Sequence, residues 1–183
     1  MNRRSLLRVA LGLCLAWLSW FIYPASALAL GGAQIPLGEP APEFTLPTNA
    51  GDGEIALADF RNQWVVLYFY PRDFTSGCTI EAQRFQRDIA EYQARHAQII
   101  GISADSVESH AEFCDAEGLE FPLLSDPKGK VSKAYGSWLG AMSLRHTYII
   151  GPDGTMRSRF LGVQPVIHSQ EVLAELDALQ RGA

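Results

Sequence analysis

Cys78 is the residue whose surroundings point most directly to chemistry. It closes the run Pro71-Arg-Asp-Phe-Thr75-Ser-Gly-Cys78, which follows seven consecutive apolar or aromatic residues, Trp64 to Tyr70. Beyond it, Ala82, Phe85, Ile89 and Tyr92 recur at three- and four-residue steps, the spacing of one helix face. The pattern predicts a thiol in the first turn of a helix, just past the end of a buried central strand with parallel neighbours. The reactive form of cysteine is the thiolate, and the free N–H groups and dipole of a helix N-terminus favour an anion. Thr75, three residues earlier, adds a hydroxyl for the sulfur or an incoming oxygen. The competing reading is a small buried hydrophobe, the usual fate of a lone cysteine. The flanking Pro, Thr and Gly suit a shaped turn better than core packing.

The other candidate groups are few. Cys14 lies within an N-terminal apolar run, which leaves Cys78 and Cys114 for the folded domain. In an exported protein such a pair reads as a disulfide, structural or catalytic. The four histidines, His96, His110, His146 and His168, show no metal-binding spacing. His110 and Cys114 stand at i and i+4, but two ligands are too few for a closed site.

The N-terminus reads as a targeting segment. Arg3, Arg4 and Arg8 precede an apolar run from Val9 to Tyr23, and Ala27-Leu28-Ala29 has the small-x-small form of a signal-peptidase site. Cleavage after Ala29 leaves 154 residues, one domain's worth. The apolar run is short for a membrane span of about 20 residues, so the mature protein is expected not to be membrane-embedded. The paired arginines resemble a twin-arginine signal, and an ordinary Sec signal fits nearly as well. Export would place the protein in a periplasm or a thylakoid lumen. Removing residues 1–29 takes away three arginines and no acid, moving the formal charge from −5 to −8. That balance, with no basic stripe, argues against nucleic-acid binding.

The elements that must position Cys78 follow in order. Prolines 36, 40, 42 and 47 mark an extended lead-in. Phe44–Leu46 and Glu54–Leu57 read as a small hairpin, and Asp59–Asn62 as a single turn. After the Cys78 helix, Gln98–Ser103 is a second buried strand, completing a right-handed βαβ unit. Ser106–Glu117 is a helix that turns Val107, Ala111 and Cys114 inward and stops at Gly118. Phe121–Asp126 is extended, and Val131–Trp138 is a further helix. Arg145–Ile150, the turn Gly151-Pro-Asp-Gly154 and Thr155–Gly162 make an antiparallel hairpin, before a last helix over Ser169–Leu179. This order is that of an α/β, thioredoxin-like fold with an N-terminal hairpin extension.

The segment Tyr-Phe-Tyr-Pro71-Arg-Asp-Phe-Thr75-Ser-Gly-Cys78-Thr-Ile-Glu81, with Arg145 opening the late hairpin, resembles the peroxiredoxins, closest to the bacterioferritin comigratory protein or peroxiredoxin Q branch. The similarity extends to Phe121-Pro-Leu-Leu-Ser-Asp126 and the Gly-Pro-Asp-Gly turn. It implies that Cys78 is the peroxidatic cysteine, with Pro71, Thr75 and Arg145 as its companions. The chemistry fits: attack on a peroxide needs a thiolate, donors for the oxygen retained on sulfur, and positive charge for the departing oxygen. Arg145 supplies fixed charge and a two-pronged donor. Pro71 lacks an N–H and would shield the sulfur, and Glu81, one turn along, would orient Arg145.

Many members of that branch carry a second cysteine five residues after the first, a place held here by Gln83. Others place the resolving thiol on the next helix, which makes Cys114, 36 residues on, the candidate. Core packing beside Val107 and Ala111 is the alternative. The resemblance implies reduction of hydrogen peroxide or organic hydroperoxides through a sulfenic acid and a disulfide, recycled by a thioredoxin-like reductant, with no metal, haem or flavin cofactor and a monomer rather than an oligomer. A thiol-disulfide oxidoreductase would want a Cys-x-x-Cys pair, whose fourth position is Glu81, and a metal module Cys-x-x-x-Cys, whose last is Ala82. A noncatalytic disulfide-stabilised module would need Cys78 and Cys114 locked together.

Overall fold

The computed structural model describes residues 31–50 and 53–182, so the export signal expected over residues 1–29 lies outside the described residues. Strands β1 (Thr45–Pro47) and β2 (Glu54–Ala56) pair antiparallel as the expected hairpin, and a 3-10 turn over Leu57–Phe60 leads into β3 (Trp64–Phe69). Then come α1 (Ser76–Arg87), α2 (Ile89–Ala94), β4 (Ala97–Ser103), α3 (Val107–Glu117), β5 (Leu123–Ser125) and α4 (Lys130–Ala134). A two-residue hairpin, β6 (Trp138–Leu139) and β7 (Met142–Ser143), precedes β8 (His146–Ile150), β9 (Met156–Leu161) and α5 (His168–Arg181).

The main sheet has the order β5-β4-β3-β8-β9. β3 runs parallel to β4 and antiparallel to β8, so only one of its neighbours is the parallel partner its sequence predicts. Every residue of β3 is buried, as a strand covered on both faces requires. Alternate residues divide between two cores. Val66 and Tyr68 face Phe85 of α1, Phe113 of α3 and Val172, Leu173 and Leu176 of α5. Val65, Leu67 and Phe69 face Leu46, Leu57, Val131 and Tyr135 from the hairpin side. This is the thioredoxin-like arrangement.

Two boundaries and one helix face differ from the sequence reading. The helix after Cys78 breaks at Asp88 instead of continuing through Ile89 and Tyr92. Asp88 leaves helical geometry (φ −96°, ψ 8°) and its buried carboxylate accepts hydrogen bonds from Arg87 Nε (2.7 Å), Ser169 Oγ (2.8 Å) and Gln170 Nε2 (2.8 Å). A buried carboxylate tied to groups from the far end of the chain fixes the backbone there out of helical geometry. The helix expected over Val131–Trp138 stops at Ala134, because Gly136 takes φ +62° and packs so tightly that a Cβ would lie 2.5 Å from the Ala33 carbonyl oxygen. Trp138 begins β6 instead. Along α3 the buried residues are His110, Phe113 and Cys114, with Val107 and Ala111 only half-buried.

Gly101, in the middle of β4, is required by close approach. A Cβ there would lie 2.5 Å from Leu123 Cδ2 and 2.8 Å from the Tyr68 ring. Gly101→Ala is expected to destabilise the fold by about 1–3 kcal/mol through overpacking, read as a lower urea midpoint.

Candidate active site

Thr75 occupies the N-cap of α1 (φ −87°, ψ 142°), and Cys78 falls in the first turn, 1% exposed. The sheet then delivers its partner. Antiparallel pairing sets His146 opposite Phe69, so Arg145, one residue earlier, arrives level with the loop that leaves β3. The Arg145 carbonyl accepts from the N–H groups of Gly162 (2.9 Å) and Val163 (3.2 Å), which fixes its backbone. Its Nη2 donates to Cys78 Sγ at 3.4 Å, and its Nη1 donates to Glu81 Oε2. Gly77 leaves room for this: a Cβ there would lie 3.1 Å from Nη2.

Glu81 is 1% exposed, and its Oε1 has no hydrogen-bond partner among the described residues. Burial pushes its carboxyl up to about 7, although the charge and hydrogen bond of Arg145 pull the other way. A planar guanidinium is thus held between a buried carboxylate and a sulfur, a use of its two-pronged geometry that a lysine could not copy.

The remaining predicted residues are placed less directly. The Thr75 hydroxyl neither caps α1 nor hydrogen-bonds the sulfur; it donates to the Arg72 carbonyl at 2.9 Å, stiffening the loop. Pro71 is half-buried and lines a cavity of about 430 Å³ with Arg72, Thr75, Ala104, Asp105, Ala141 and Met142. Phe74, 53% exposed, is held in the left-handed region (φ +57°), a strain of about 1–3 kcal/mol for a bulky residue. Its ring packs edge-on against Phe113 of α3, with centroids 5.1 Å apart.

Cys114 is buried in the same apolar cluster as Cys78, and both are free thiols. Burial pushes the Cys114 thiol up to about 11, against a hydrogen bond from Asn49. The position expected of a nearer resolving cysteine is tied elsewhere: Gln83 Nε2 donates to Glu117 Oε2 of α3 at 2.6 Å.

The sequence reading missed a polar cluster behind the loop, formed by Tyr70, Asp73, Ser109 and His110. Its sequence signals were an acid inside the Pro71–Thr75 loop and a histidine one turn before Cys114. By spacing alone His110 reads only as a candidate ligand beside Cys114.

A single cysteine in the first helical turn, with a guanidinium on its sulfur and a carboxylate where a dithiol exchanger needs its second thiol, defines a thiol peroxidase on a thioredoxin-like scaffold. Comparison with known proteins carries this further. The AhpC/TSA family matches residues 37–159, and the chain belongs to it, in the bacterioferritin comigratory protein and peroxiredoxin Q branch. It is 38% identical to the putative peroxiredoxin bcp of Helicobacter pylori over 78% of this chain and 99% of that one. It is 36% identical to the chloroplastic peroxiredoxin Q of Suaeda salsa, over 86% of this chain and 75% of the other. A cysteine-to-serine variant of Xanthomonas campestris Peroxiredoxin Q superposes with a TM-score of 0.71 at 31% identity, covering 74% of this chain and 90% of that one. A second such variant of the same protein alters a position 36 residues further along. The chain is therefore a peroxiredoxin, a thiol-dependent peroxidase.

Glu81 makes the site's stability depend on pH. Its folded value lies above its ordinary 4.5, so the stability it contributes is complete below about 4.5 and lost as pH rises towards 7. Arg145→Met removes the charge that offsets this and drives the Glu81 carboxyl higher still. The melting temperature should fall little at pH 5, where Glu81 keeps its proton in both proteins. At pH 8 the loss should reach about 3 kcal/mol, the scale of a buried charge without its partner; an equal loss at both pH values would contradict the pairing.

Proposed function

We propose that Cys78 is the peroxidatic residue and that Arg145 is the group that makes it so. The observation that carries this is the single guanidinium donating to Cys78 Sγ at 3.4 Å while its other arm is held by Glu81. The Cys78 thiolate attacks the nearer oxygen of a hydroperoxide, the O–O bond breaks, and sulfur keeps one oxygen as a sulfenic acid. Arg145 stabilises the charge that passes from sulfur to the departing oxygen, which leaves as water or an alcohol after taking up a proton. Glu81 holds the guanidinium in register, Pro71 excludes water from the loop, and Thr75 fixes the loop through the Arg72 carbonyl. Ala104, Ala141 and Met142 offer an apolar surface to the tail of an organic hydroperoxide, alongside hydrogen peroxide itself.

Cys114 then condenses with the sulfenic acid, releasing water and leaving a Cys78–Cys114 disulfide. Two observations support this role. The two altered cysteines of the Xanthomonas protein are separated by the same 36 residues as Cys78 and Cys114, and Cys114 is the other thiol among the described residues. A disulfide requires Cα atoms within about 7 Å, so α1 and α3 must rearrange if the thiols stand further apart. A thioredoxin-like dithiol reduces the bond. The basic, apolar and small-x-small features of residues 1–29 favour export, to a periplasm or thylakoid lumen, and a monomer is the working form.

Cys78→Ser is expected to abolish peroxide consumption in a stopped-flow assay with a dithiol donor; a rate even a tenth of wild type would remove this mechanism. Cys114→Ser should form one sulfenic acid per chain and stall when thioredoxin is the reductant. Unchanged cycling of that variant would reduce Cys114 to core packing.

A further inference from the structure

The loop before Cys78 and the helix that carries Cys114 are gripped together at two consecutive residues. Asp73 is 4% exposed; its Oδ1 accepts from the Tyr70 hydroxyl (2.7 Å), and its Oδ2 accepts from the Ser109 hydroxyl (2.7 Å) and lies 2.9 Å from His110 Nδ1. Its backbone N–H donates to Asp105 Oδ2 at 3.0 Å, an oxygen that also accepts from Ser103 Oγ at 2.6 Å. His110 is wholly buried one turn before Cys114, and its Nε2 has no partner among the described residues. The next loop residue, Phe74, adds the edge-on contact with Phe113.

A buried polar pair is a poor way to gain stability, since an apolar pair of the same volume serves as well or better. Its effect is geometric: it holds the loop to α3 in one arrangement, and that loop is strained at Phe74. The hydrogen bonds of Asp73 also leave no freedom to slide, because three donors converge on one carboxylate.

We propose that Asp73 and His110, seconded by Phe74 on Phe113, form a latch that sets how long oxidised Cys78 stays apart from Cys114. Both are positioning residues, touching neither peroxide nor sulfur. The proposal rests on the resolving role given to Cys114 above. With the latch closed, a second hydroperoxide oxidises the Cys78 sulfenic acid to the sulfinic acid and is itself reduced to an alcohol or water. With it open, the Cys114 sulfur bonds to the Cys78 sulfur, the S–O bond breaks, and the hydroxyl leaves with the Cys114 proton as water. The latch therefore divides the sulfenic acid between a reversible and an irreversible fate.

Quench-flow with thiol trapping and mass spectrometry, on the whole chain with hydrogen peroxide, separates the steps: attack scales with peroxide and disulfide formation does not. Asp73→Asn and His110→Leu should each raise the disulfide rate about tenfold, the scale of one lost charge-assisted hydrogen bond, and lower the sulfinic yield to match. Attack should hold or slow. His110→Asn, which keeps an N–H near the Nδ1 position, should restore wild-type partitioning. Phe74→Ala, at an exposed site that folding tolerates, should raise the disulfide rate about threefold. Unchanged disulfide rates in these variants would overturn the latch, as would attack and disulfide rates that fall together with the melting temperature. If wild type forms no Cys78–Cys114 disulfide, the resolving role fails and the latch with it; a wild-type disulfide with unaltered variant rates sinks the latch alone.

Discussion

The site depends on one guanidinium with two obligations. Arg145 reaches the Cys78 sulfur with one nitrogen and the buried Glu81 carboxylate with another. An ionised carboxylate at this depth would be costly without it, since an isolated charge removed from water costs several kcal/mol. The contact also explains nearby choices that look minor in isolation. Position 77 has no side chain because one would crowd the guanidinium, and β8 must be antiparallel to β3 so that its first residue, and not its last, meets the loop.

This arrangement separates reactivity from exposure. Cys78 is almost wholly buried, so the sulfur is guarded by the loop and by Arg145 and is not open to bulky reagents. Cys114 is guarded in another way, because burial keeps its thiol protonated at neutral pH. A buried thiol at about 11 is a weak nucleophile, and it becomes a competent one only when its surroundings loosen. The same apolar packing that stabilises the fold thus holds the second thiol in its less reactive, protonated form.

The strand, loop and helix around Cys78 were legible in the sequence because their signals are local: an unbroken apolar run, a proline and a three-to-four periodicity. Ser106 and Gly118 likewise marked the ends of α3, and the structure uses both as caps. Arg145 lies 67 residues from Cys78, and no local pattern joins them; only the resemblance to a family did so. The break at Asp88 was hidden because its partners, Ser169 and Gln170, arrive from the far end of the chain. His110 was hidden because a histidine on a helix face reads as surface or ligand until the rotation of the helix is known. Thr75 illustrates the converse: its place was foreseen, but the direction of its hydroxyl is decided by the Arg72 carbonyl.

The 67 residues between Cys78 and Arg145 also give the site a birth order. On a ribosome adding about 5–20 residues each second, Cys78 emerges about 3–13 seconds before Arg145. Through that interval Cys78 lacks the guanidinium that donates to its sulfur in the folded chain. The contact between them is thus made late, when the C-terminal hairpin docks. A chain cut before Arg145 would lack that contact altogether, and only molecules that have finished folding hold sulfur and guanidinium together.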